Sequence, residues 1–318
     1  MRRLHTYIIM AAAAILLLAG LEACDYELCY SHPHTGVLRV VFDWRHAPEA
    51  SPQSMSLYLF PAEGGEPLRY EFTDITGGEI TVPEGCYDAA CINSDTELVL
   101  YRNTGARETF ECYTRTTGLL ENYRSYGVRP ESVPRAAGTD TERVSLSPDM
   151  LWGDHLEDIG VAKNSSQTVT LYPDEQVSTY TVTIRNAENL RYAAALGGSL
   201  SSLAGGVIPA LGAVGDERVT VPFDAVKSQD KTTLHARFLT FGHGDDTGCP
   251  HTLSIYAILT DKAKWCYTYD VTAQVHDAPD RRHVDIVLDG LPLPKPLQEG
   301  SFVPDIDEWQ TVKIDITL

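Results

Sequence analysis

An alternation of apolar and polar residues with a period of two recurs along almost the whole chain. In VLRVVFDW it places four apolar side chains on one face: Leu38, Val40, Phe42 and Trp44. SMSLYLF continues the pattern with Met55, Leu57 and Leu59, and STYTVTIRN does so with Tyr180, Val182 and Ile184. Such alternation is typical of β-strands with one face in a core.

Further alternating stretches follow at the spacing of β-sandwich strands: ELVLYRN, LHARFLTFG, TLSIYAILT, WCYTYDVT and HVDIVLD. No stretch alternates strands with amphipathic helices, as a parallel α/β sheet requires. The chain has 318 residues, and about 100 to 200 residues per domain is usual. We therefore predict an all-β protein with two antiparallel β-sandwich domains, residues 37–164 and 165–318.

Two regions break the pattern. Residues 114–164 are rich in turn residues, so we interpret them as a long loop region that closes the first domain, with a short helix near GLLENYRSY. The glycine-rich GGSLSSLAGGVIPALG is expected to be a surface segment or a single weak helix. TDKAKW is interpreted as a hairpin connection.

The amino terminus has the plan of a signal peptide. Arg2 and Arg3 provide a positive start, and the apolar run from Tyr7 to Leu21 follows. Fifteen residues are fewer than the roughly 20 that a spanning helix needs, and no Lys or Arg cluster follows. We expect residues 1–23 to be removed.

The apolar run ends in Leu21, Glu22, Ala23 and Cys24, an order that resembles the lipobox of bacterial lipoproteins. The resemblance implies that the Cys24 thiol receives a diacylglycerol, that the chain is cut before it, and that the new amino terminus is acylated, for example with palmitate. Glu22 departs from the small uncharged residue usual at its place. Several acyl chains would anchor the protein stably, since each buried methylene contributes about 0.8 kcal/mol. Residues 24–36 would then be a tether, whereas an accidental cysteine after an ordinary signal is the alternative.

The charge excludes one class of partner. Removing Arg2, Arg3 and Glu22 from the 25 basic and 44 acidic residues leaves 23 and 43, a formal charge of −20. So acidic a chain is not expected to bind nucleic acid or anionic headgroups. Lipid is therefore the expected attachment to the membrane.

Six cysteines remain after Cys24, and in an exported chain they permit disulfides. They are Cys29, Cys86, Cys91, Cys112, Cys249 and Cys266. Their 15 possible pairings stay open, and Cys86 with Cys91 or Cys112 is the first to test. No CxxC spacing indicates a zinc or redox site, so isolated buried or paired thiols are the favoured interpretation.

One stretch, GHGDDTGCPH, contains side chains that could bind a metal ion: His243, Asp245, Asp246, Cys249 and His251. It lies between two strong strand patterns, where glycine, aspartate and proline are needed for the turn itself. We therefore predict no metal site. It also lacks the spacing of a dinucleotide or phosphate loop.

No convincing active site is found, and the chain is predicted not to be an enzyme and to need no cofactor. A GxSxG elbow is absent, because GGSLSSLAGG has the composition without the spacing. Paired carboxylates in VPDIDEW (Asp305, Asp307, Glu308) and the histidines of SHPHTG (His32, His34) are interpreted as solvated loop residues. Asn164 begins a glycosylation sequon, which carries little weight in a bacterial lipoprotein.

The chain closes on WQTVKIDITL, whose apolar side chains share one face: Val312, Ile314, Ile316 and Leu318. A terminal strand of this kind either joins its own sheet or offers an edge to another chain.

Seven segments together resemble an uncharacterised family of Bacteroides-type lipoproteins, itself similar to fimbrillin-associated anchor and minor-subunit proteins of type V pili. They are the lipobox, LRVVFDW, VPEGCYDAACIN, SPDMLWG, FLTFG, YDVTAQV and VPDIDEWQTVKIDITL. The resemblance spans about residues 24–318 and names no catalytic residue. It implies two tandem transthyretin-like β-sandwiches.

It also implies an outer-membrane lipoprotein at the cell surface that anchors a fimbrium, or is an accessory subunit, and contacts a pilin-like partner by strand exchange. The candidate exchange elements are the strands from Val37 to Trp44 and from Thr311 to Leu318. Arg45 could be a protease site that frees an acceptor groove, although RHAPEASP is also an ordinary exposed loop.

A surface glycan-binding lipoprotein is the alternative, since 16 Tyr and 4 Trp could stack on sugars. Most of these aromatics fall on alternating strand positions, where core packing explains them more simply. A secreted hydrolase is a third possibility, which would require carboxylates that face each other across a cleft.

Overall fold

The computed structural model describes residues 34–296 and 308–314. Its first half contains eleven strands: β1 (Thr35–Phe42), β2 (Met55–Pro61), β3 (Leu68–Phe72), β4 (Gly77–Pro83), β5 (Gly85–Asn93), β6 (Val99–Arg102), β7 (Glu111–Thr114), β8 (Arg143–Val144), β9 (Trp152–Val161), β10 (Ser166–Leu171) and β11 (Asp174–Glu175).

The second half contains the other eleven: β12 (Ser178–Glu188), β13 (Ala193–Ala204), β14 (Gly206–Ile208), β15 (Ala213–Val214), β16 (Arg218–Asp224), β17 (Val226–Lys227), β18 (Leu234–Thr240), β19 (Thr252–Leu259), β20 (Lys264–Asp270), β21 (His283–Pro292) and β22 (Trp309–Ile314). The described α-helix is α1 (Thr272–His276). Short 3-10 helices occupy Trp44–His46, Glu121–Tyr126, Pro130–Ser132, Leu190–Tyr192 and Pro209–Leu211. The predicted all-β architecture is confirmed.

A three-stranded sheet (β10-β1-β4) and a five-stranded sheet (β11-β9-β5-β2-β3) enclose the core of the first half. Leu38, Val40 and Phe42 of β1 point into it, as the alternation predicted. Because successive strand residues face opposite sides, β2 directs Met55, Leu57 and Leu59 into the same core.

The second half is also a sandwich. A four-stranded sheet (β17-β18-β12-β21) packs against a six-stranded sheet (β22-β20-β19-β13-β16-β8). Tyr180, Val182 and Ile184 of β12 lie in the core between them, as predicted. TDKAKW connects the antiparallel strands β19 and β20, also as predicted.

The expectation of purely antiparallel sheets is wrong. Four pairs are parallel: β1 with β10, β8 with β16, β12 with β21, and β20 with β22. A parallel pair needs a long connection, and in each case the partners are separated by other strands in the sequence. Periodicity reports which face of a strand is buried but not the direction of its neighbour.

Most of the glycine-rich stretch is strand rather than a surface segment or a helix, and only its end forms a 3-10 helix, Pro209–Leu211. Residues 197–204 belong to β13, a central strand of the six-stranded sheet, and all of them are buried. Gly198 lies opposite Phe223 of β16 and Ile255 of β19. Because glycine has no side chain, the space beside it is occupied by the Phe223 ring. Small residues fit where both faces of a strand are crowded.

The irregular region is also not a loop that closes the first domain. Residues 115–142, here called the crossing segment, lie across the outer face of the six-stranded sheet. Leu119, Leu120, Val128 and Val133 pack there on β19 and β20. The predicted short helix is a 3-10 helix at Glu121–Tyr126.

A further apolar cluster, here called the joint cluster, connects the two halves. It combines aromatic side chains of the first half, including Tyr58, Phe60 and Phe110, with Val207 and Phe241 of the second. Tyr58 and Phe110 have ring centroids 4.6 Å apart. The second face of the five-stranded sheet is therefore buried as well.

The strand β10 lies beyond residue 164, where the boundary between domains is expected, yet it pairs with β1 of the first sandwich. Val169 and Leu171 enter the first core. Strand pairing thus keeps the first sandwich together as far as β11. In the part of the chain that the structure describes, no helix is long and apolar enough to cross a membrane.

Candidate functional site

Several residues singled out in the sequence lie outside the described residues. They are Cys24, Cys29, His32, Asp305, Asp307, Ile316 and Leu318. The acylation site, the signal peptide and most of the tether therefore stay predictions.

The first candidate exchange element, β1, is the central strand of its sheet. From Val37 to Phe42 it pairs in parallel with β10, and along its other edge it pairs antiparallel with β4. The Val37 amide donates to the carbonyl oxygen of Ser165 at 2.8 Å. Withdrawing β1 would leave an empty groove between β10 and β4, with the positions of three core side chains unfilled.

Trp44 lies just beyond β1, at the start of a 3-10 helix. Its indole nitrogen donates to the carbonyl oxygen of Ile75 at 2.7 Å, and its ring meets Trp152 edge to face, with centroids 6.5 Å apart. Trp44 thereby connects the end of β1 to strand β9 and to the turn before β4.

Arg45 follows in an exposed position. Its guanidinium forms an ion pair with Asp43 at 2.5 Å and lies over the Tyr172 ring, 5.0 Å from the centroid. The arginine side chain beside Asp43 lowers the pKa of that carboxyl group. Whether a protease cuts here stays a prediction.

The second candidate element, β22, is an edge strand. It pairs in parallel with β20 from Trp309 to Ile314, and Val312 and Ile314 pack against the C-terminal core. On the other face, Trp309 meets Tyr256 with ring centroids 5.5 Å apart. Of its two edges, only one has a partner strand in the described structure, whereas β1 has partners on both.

The stretch from residue 241 to 251, here called the histidine loop, connects β18 and β19. Asp245 and Asp246 do not join the histidines, because they form ion pairs with Arg281 at 2.5 Å and with Arg218 at 3.0 Å. Among the residues that the structure describes, no group of three or more possible ligands is placed to hold a metal ion.

His243 and His251 instead meet His276, which the sequence reasoning missed. His276 is in α1, 25 positions further on, so no local spacing indicates it. The three ring centroids are 4.9 to 5.6 Å apart. Burial lowers the pKa of His243 to about 4, with smaller contributions from Arg281 and the other two histidines. Burial also lowers the pKa of His251.

The cysteine pairings proposed for testing first are not present. All five described cysteines are free thiols, and only Cys86 among them is exposed. Cys91 lies in the first core and Cys112 in the joint cluster, on opposite faces of the five-stranded sheet. Because burial removes solvation from the thiolate, it raises the pKa of both buried thiols.

A cleft with a volume of about 590 Å³ lies between the joint cluster and the histidine loop. Its wall is mixed in charge, with Glu217, Asp246, Arg218 and Arg281 among the lining side chains. Most of these charges already form ion pairs with one another or with neighbours. The cleft therefore does not present a concentrated charge of one sign.

The aromatic residues considered for sugar stacking are largely inside. All four tryptophans are half-buried, and six tyrosines are buried: Tyr58, Tyr87, Tyr180, Tyr256, Tyr267 and Tyr269.

Glu308 is exposed immediately before β22, and His34 is half-buried just before β1. Asn164 occupies a turn with a left-handed backbone, φ 54°, and its amide donates to the Thr35 carbonyl oxygen.

Comparison with known proteins gives a family and a set of related folds. Residues 23–224 match the model of a family described as a domain of unknown function, DUF5119. A Bacteroides ovatus protein named "Putative fimbrium anchoring subunit Fim4B" is 24% identical over 254 residues, which covers 76% of this chain and 70% of that one.

Two solved structures share the fold. A putative adhesin from Bacteroides ovatus has a TM-score of 0.60 at 18% identity, covering 83% of this chain and 95% of the other. The fimbrial anchor protein Mfa2 from Porphyromonas gingivalis has a TM-score of 0.50 at 13% identity, covering 81% and 91%. The resemblance drawn from the sequence segments is confirmed.

Proposed function

The chain belongs to the DUF5119 family, and from this starting point we propose that it is a cell-surface subunit that anchors a fimbrium or is accessory to one. The observation that carries the proposal is the similarity over 254 residues to a protein named as a fimbrium anchoring subunit. We propose a structural role without catalysis, in contact with a pilin-like partner. The two shared folds and the confirmed resemblance support it.

We further propose that the chain is a lipoprotein of the outer membrane, attached through acylated Cys24. The tether from residue 24 to 36 leads directly into β1, the central strand of the first sheet. Strand β1 is held along both edges, so it is suited to transmit the pull of a membrane anchor into the folded body.

Strand exchange is assigned here to the carboxyl-terminal strand rather than to β1. Removing β22 breaks pairing on one side only, whereas removing β1 breaks it on both sides and empties the first core. We therefore propose that residues 311–318 and the edge of β20 provide the contact with the partner. The tandem transthyretin-like arrangement of the two sandwiches is part of the same proposal.

The test uses the full gene in its own bacterium. Membrane extracts are prepared from cells that produce the tagged wild-type chain, a chain lacking residues 311–318, or a control chain in which Glu63 and Glu66, exposed between β2 and β3, are changed to alanine. We expect the tagged wild type to co-purify with a fimbrial subunit in membrane extracts, the truncated chain to lose it, and the alanine variant to keep it. Unchanged co-purification of the truncated chain would reject the exchange element.

The lipid is tested separately. Cells are fed a labelled fatty acid, and the Cys24→Ala variant is compared with the wild type. We expect label on the wild-type chain alone, and release of the variant from the membrane fraction. Absence of any fimbrial subunit from wild-type complexes, with the label present, would reject the fimbrial role and leave the lipoprotein assignment intact.

A further inference from the structure

Three histidines, two from the histidine loop and one from α1, meet beside the joint between the two halves. His243 and His251 stand at the two ends of the histidine loop, and His276 ends α1. His243 and His251 are 5% and 1% exposed. With ring centroids no more than 5.6 Å apart, the three imidazoles are in mutual contact.

Each ring uses one nitrogen to attach a separate element. His243 Nδ1 is 2.9 Å from the Tyr180 hydroxyl of β12, and His251 Nδ1 is 3.1 Å from the carbonyl oxygen of Ser201 in β13. His276 Nε2 is 3.1 Å from the carbonyl oxygen of Cys249. The cluster therefore ties the loop to both sheets and to α1.

No carboxylate forms an ion pair with His243, His251 or His276 in the described structure, and burial opposes a positive charge on His243 and His251. The second nitrogen of His251, Nε2, is buried without a hydrogen-bond partner. A positive charge there would be desolvated and close to the other two imidazole rings.

The charges around the cluster come from every element that packs on it. Tyr180 faces it from β12, Arg218 from β16, Asp270 from the end of β20 and Thr272 from the start of α1. Arg281 faces it from the stretch after α1, and Glu142 from the crossing segment. The loop itself contributes Asp245, Asp246 and Cys249. Asp245 and Asp246 form ion pairs with Arg281 and Arg218, whereas Glu142 and Asp270 bond to hydroxyl and backbone groups of Ser202, Thr220 and Thr272.

We propose that His243, His251 and His276 form a proton-sensitive latch, which holds the histidine loop closed when the rings are neutral and releases it when His243 and His251 take up protons in mildly acidic surroundings. The loop begins at Phe241 of the joint cluster, and Gly242 accepts a backbone hydrogen bond from Ala204 at 2.9 Å. Release of the latch thus loosens the contact between the halves. The latch does not depend on the fimbrial role.

The direction of the pH effect follows from proton binding. In the unfolded chain these histidines have the ordinary pKa of 6.5, whereas the pKa of folded His243 is about 4. Between these values the unfolded state binds more protons, so stability is complete above about pH 6.5 and is lost as the pH falls toward 4. From His243 alone, the unfolding equilibrium constant rises about 30-fold between pH 7.5 and pH 5.0.

The test is urea unfolding of the mature chain at pH 7.5 and pH 5.0. Between these two pH values the unfolding equilibrium constant should rise about 30-fold more in the wild type than in the His243→Gln variant. The glutamine amide of this variant can still hydrogen-bond to the Tyr180 hydroxyl, but it takes up no proton. His235→Gln, which changes an exposed histidine of β18, serves as the matched control and should behave like the wild type. Equal pH dependence of all three chains would overturn the latch.

Two measurements on the wild type keep the test decisive if His243→Gln does not fold. In an NMR titration of the imidazoles, His243 and His251 should titrate below the ordinary pKa of 6.5. Hydrogen exchange of residues 242–251, corrected for the intrinsic rate at each pH, should accelerate at pH 5.0 more than exchange of β12. Ordinary titration of His243 and His251, or unchanged loop exchange, would reject the proposal.

Discussion

Tyr256 donates its phenolic hydrogen to the carbonyl oxygen of Pro134, 2.7 Å away, and so ties the crossing segment to the outer face of the six-stranded sheet. The two residues are 122 positions apart. Tyr256 is 1% exposed, and its ring also meets Trp309 of the terminal strand. The Tyr256 side chain thus connects the crossing segment, the six-stranded sheet and β22.

Replacing Tyr256 with phenylalanine should destabilise the protein. It leaves the Pro134 carbonyl and the Ser199 hydroxyl, 3.2 Å from the phenolic oxygen, without this partner. A buried hydrogen bond lost in this way costs about 1 to 3 kcal/mol, to be measured by urea unfolding. Tyr126→Phe, at a tyrosine that is 45% exposed, is the control and should change stability little. Equal effects of the two variants would contradict the role assigned to Tyr256.

Gly198→Ala should destabilise the central strand β13. A Cβ at this position would overlap the Phe223 ring and lie 3.0 Å from the Ser254 carbonyl oxygen. Moving the Phe223 ring would disturb its stacking on Phe238, whose ring centroid is 4.3 Å away. Overpacking of this kind costs roughly 1 to 3 kcal/mol, seen as a lower melting temperature.

Gly160→Ala is the matched control, since a Cβ there meets no atom within 4 Å. It should be neutral or slightly stabilising, because alanine restricts the unfolded chain more than glycine does. A Gly198→Ala protein as stable as the control would show that β13 is less tightly packed than the structure has it.

Glu217→Gln should weaken an ion-pair network between the halves. Glu217 binds Arg102 of β6 at 2.9 Å and Arg143 of β8 at 2.8 Å. The loss should be about 1 kcal/mol at pH 7, since the groups are partly exposed, and smaller in 1 M salt. Glu79→Gln, at an exposed residue of β4, is the control.

The Glu217 effect should depend on pH. Arg143 and Arg102 lower the pKa of Glu217 below its ordinary value of 4.5. A carboxyl group of this kind stabilises the folded state above that value, and the contribution is lost as the pH falls through the folded pKa. The difference between wild type and variant in unfolding experiments should therefore shrink below pH 4.5; a constant difference would count against the ion pairs.

Thiol labelling should separate the described cysteines into two groups. Cys86, which is exposed, should react within minutes with a thiol reagent in the native chain. Cys91, Cys112, Cys249 and Cys266 should react only after unfolding, because they are buried and burial raises the pKa of Cys266 to about 12. Peptide mapping by mass spectrometry identifies the labelled sites. A blocked Cys86 in the purified native chain would indicate a disulfide that the structure does not contain.

Local patterns in the chain predicted much of this architecture. Alternation at Leu38 to Phe42 and at Tyr180 to Ile184 identified strands and their buried faces, because side chains in a strand point to opposite sides. The segments that resemble a lipoprotein family also indicated the correct relatives. These features depend only on neighbours in the sequence.

The histidine cluster shows why part of the site could not be predicted. His243 and His251 stood out because they are close in sequence, and the metal hypothesis grouped them with Asp245 and Asp246. In the folded chain, arginines 28 to 36 positions away take up those carboxylates, and His276 completes the cluster instead. Spacing in a loop does not indicate which distant side chains arrive beside it.

The sequence by itself determined the clearly alternating strands, such as β1, β2 and β12, with the side chains that they bury, and the acidic character of the chain, because these follow from residue type and a period of two. Only the tertiary structure decided that β13 is central despite its glycines, that the crossing segment covers the second sandwich, and that four strand pairs are parallel. The physical reason is that these features depend on pairing and packing between residues far apart in the chain, where one face of a sheet selects whichever apolar surface complements it.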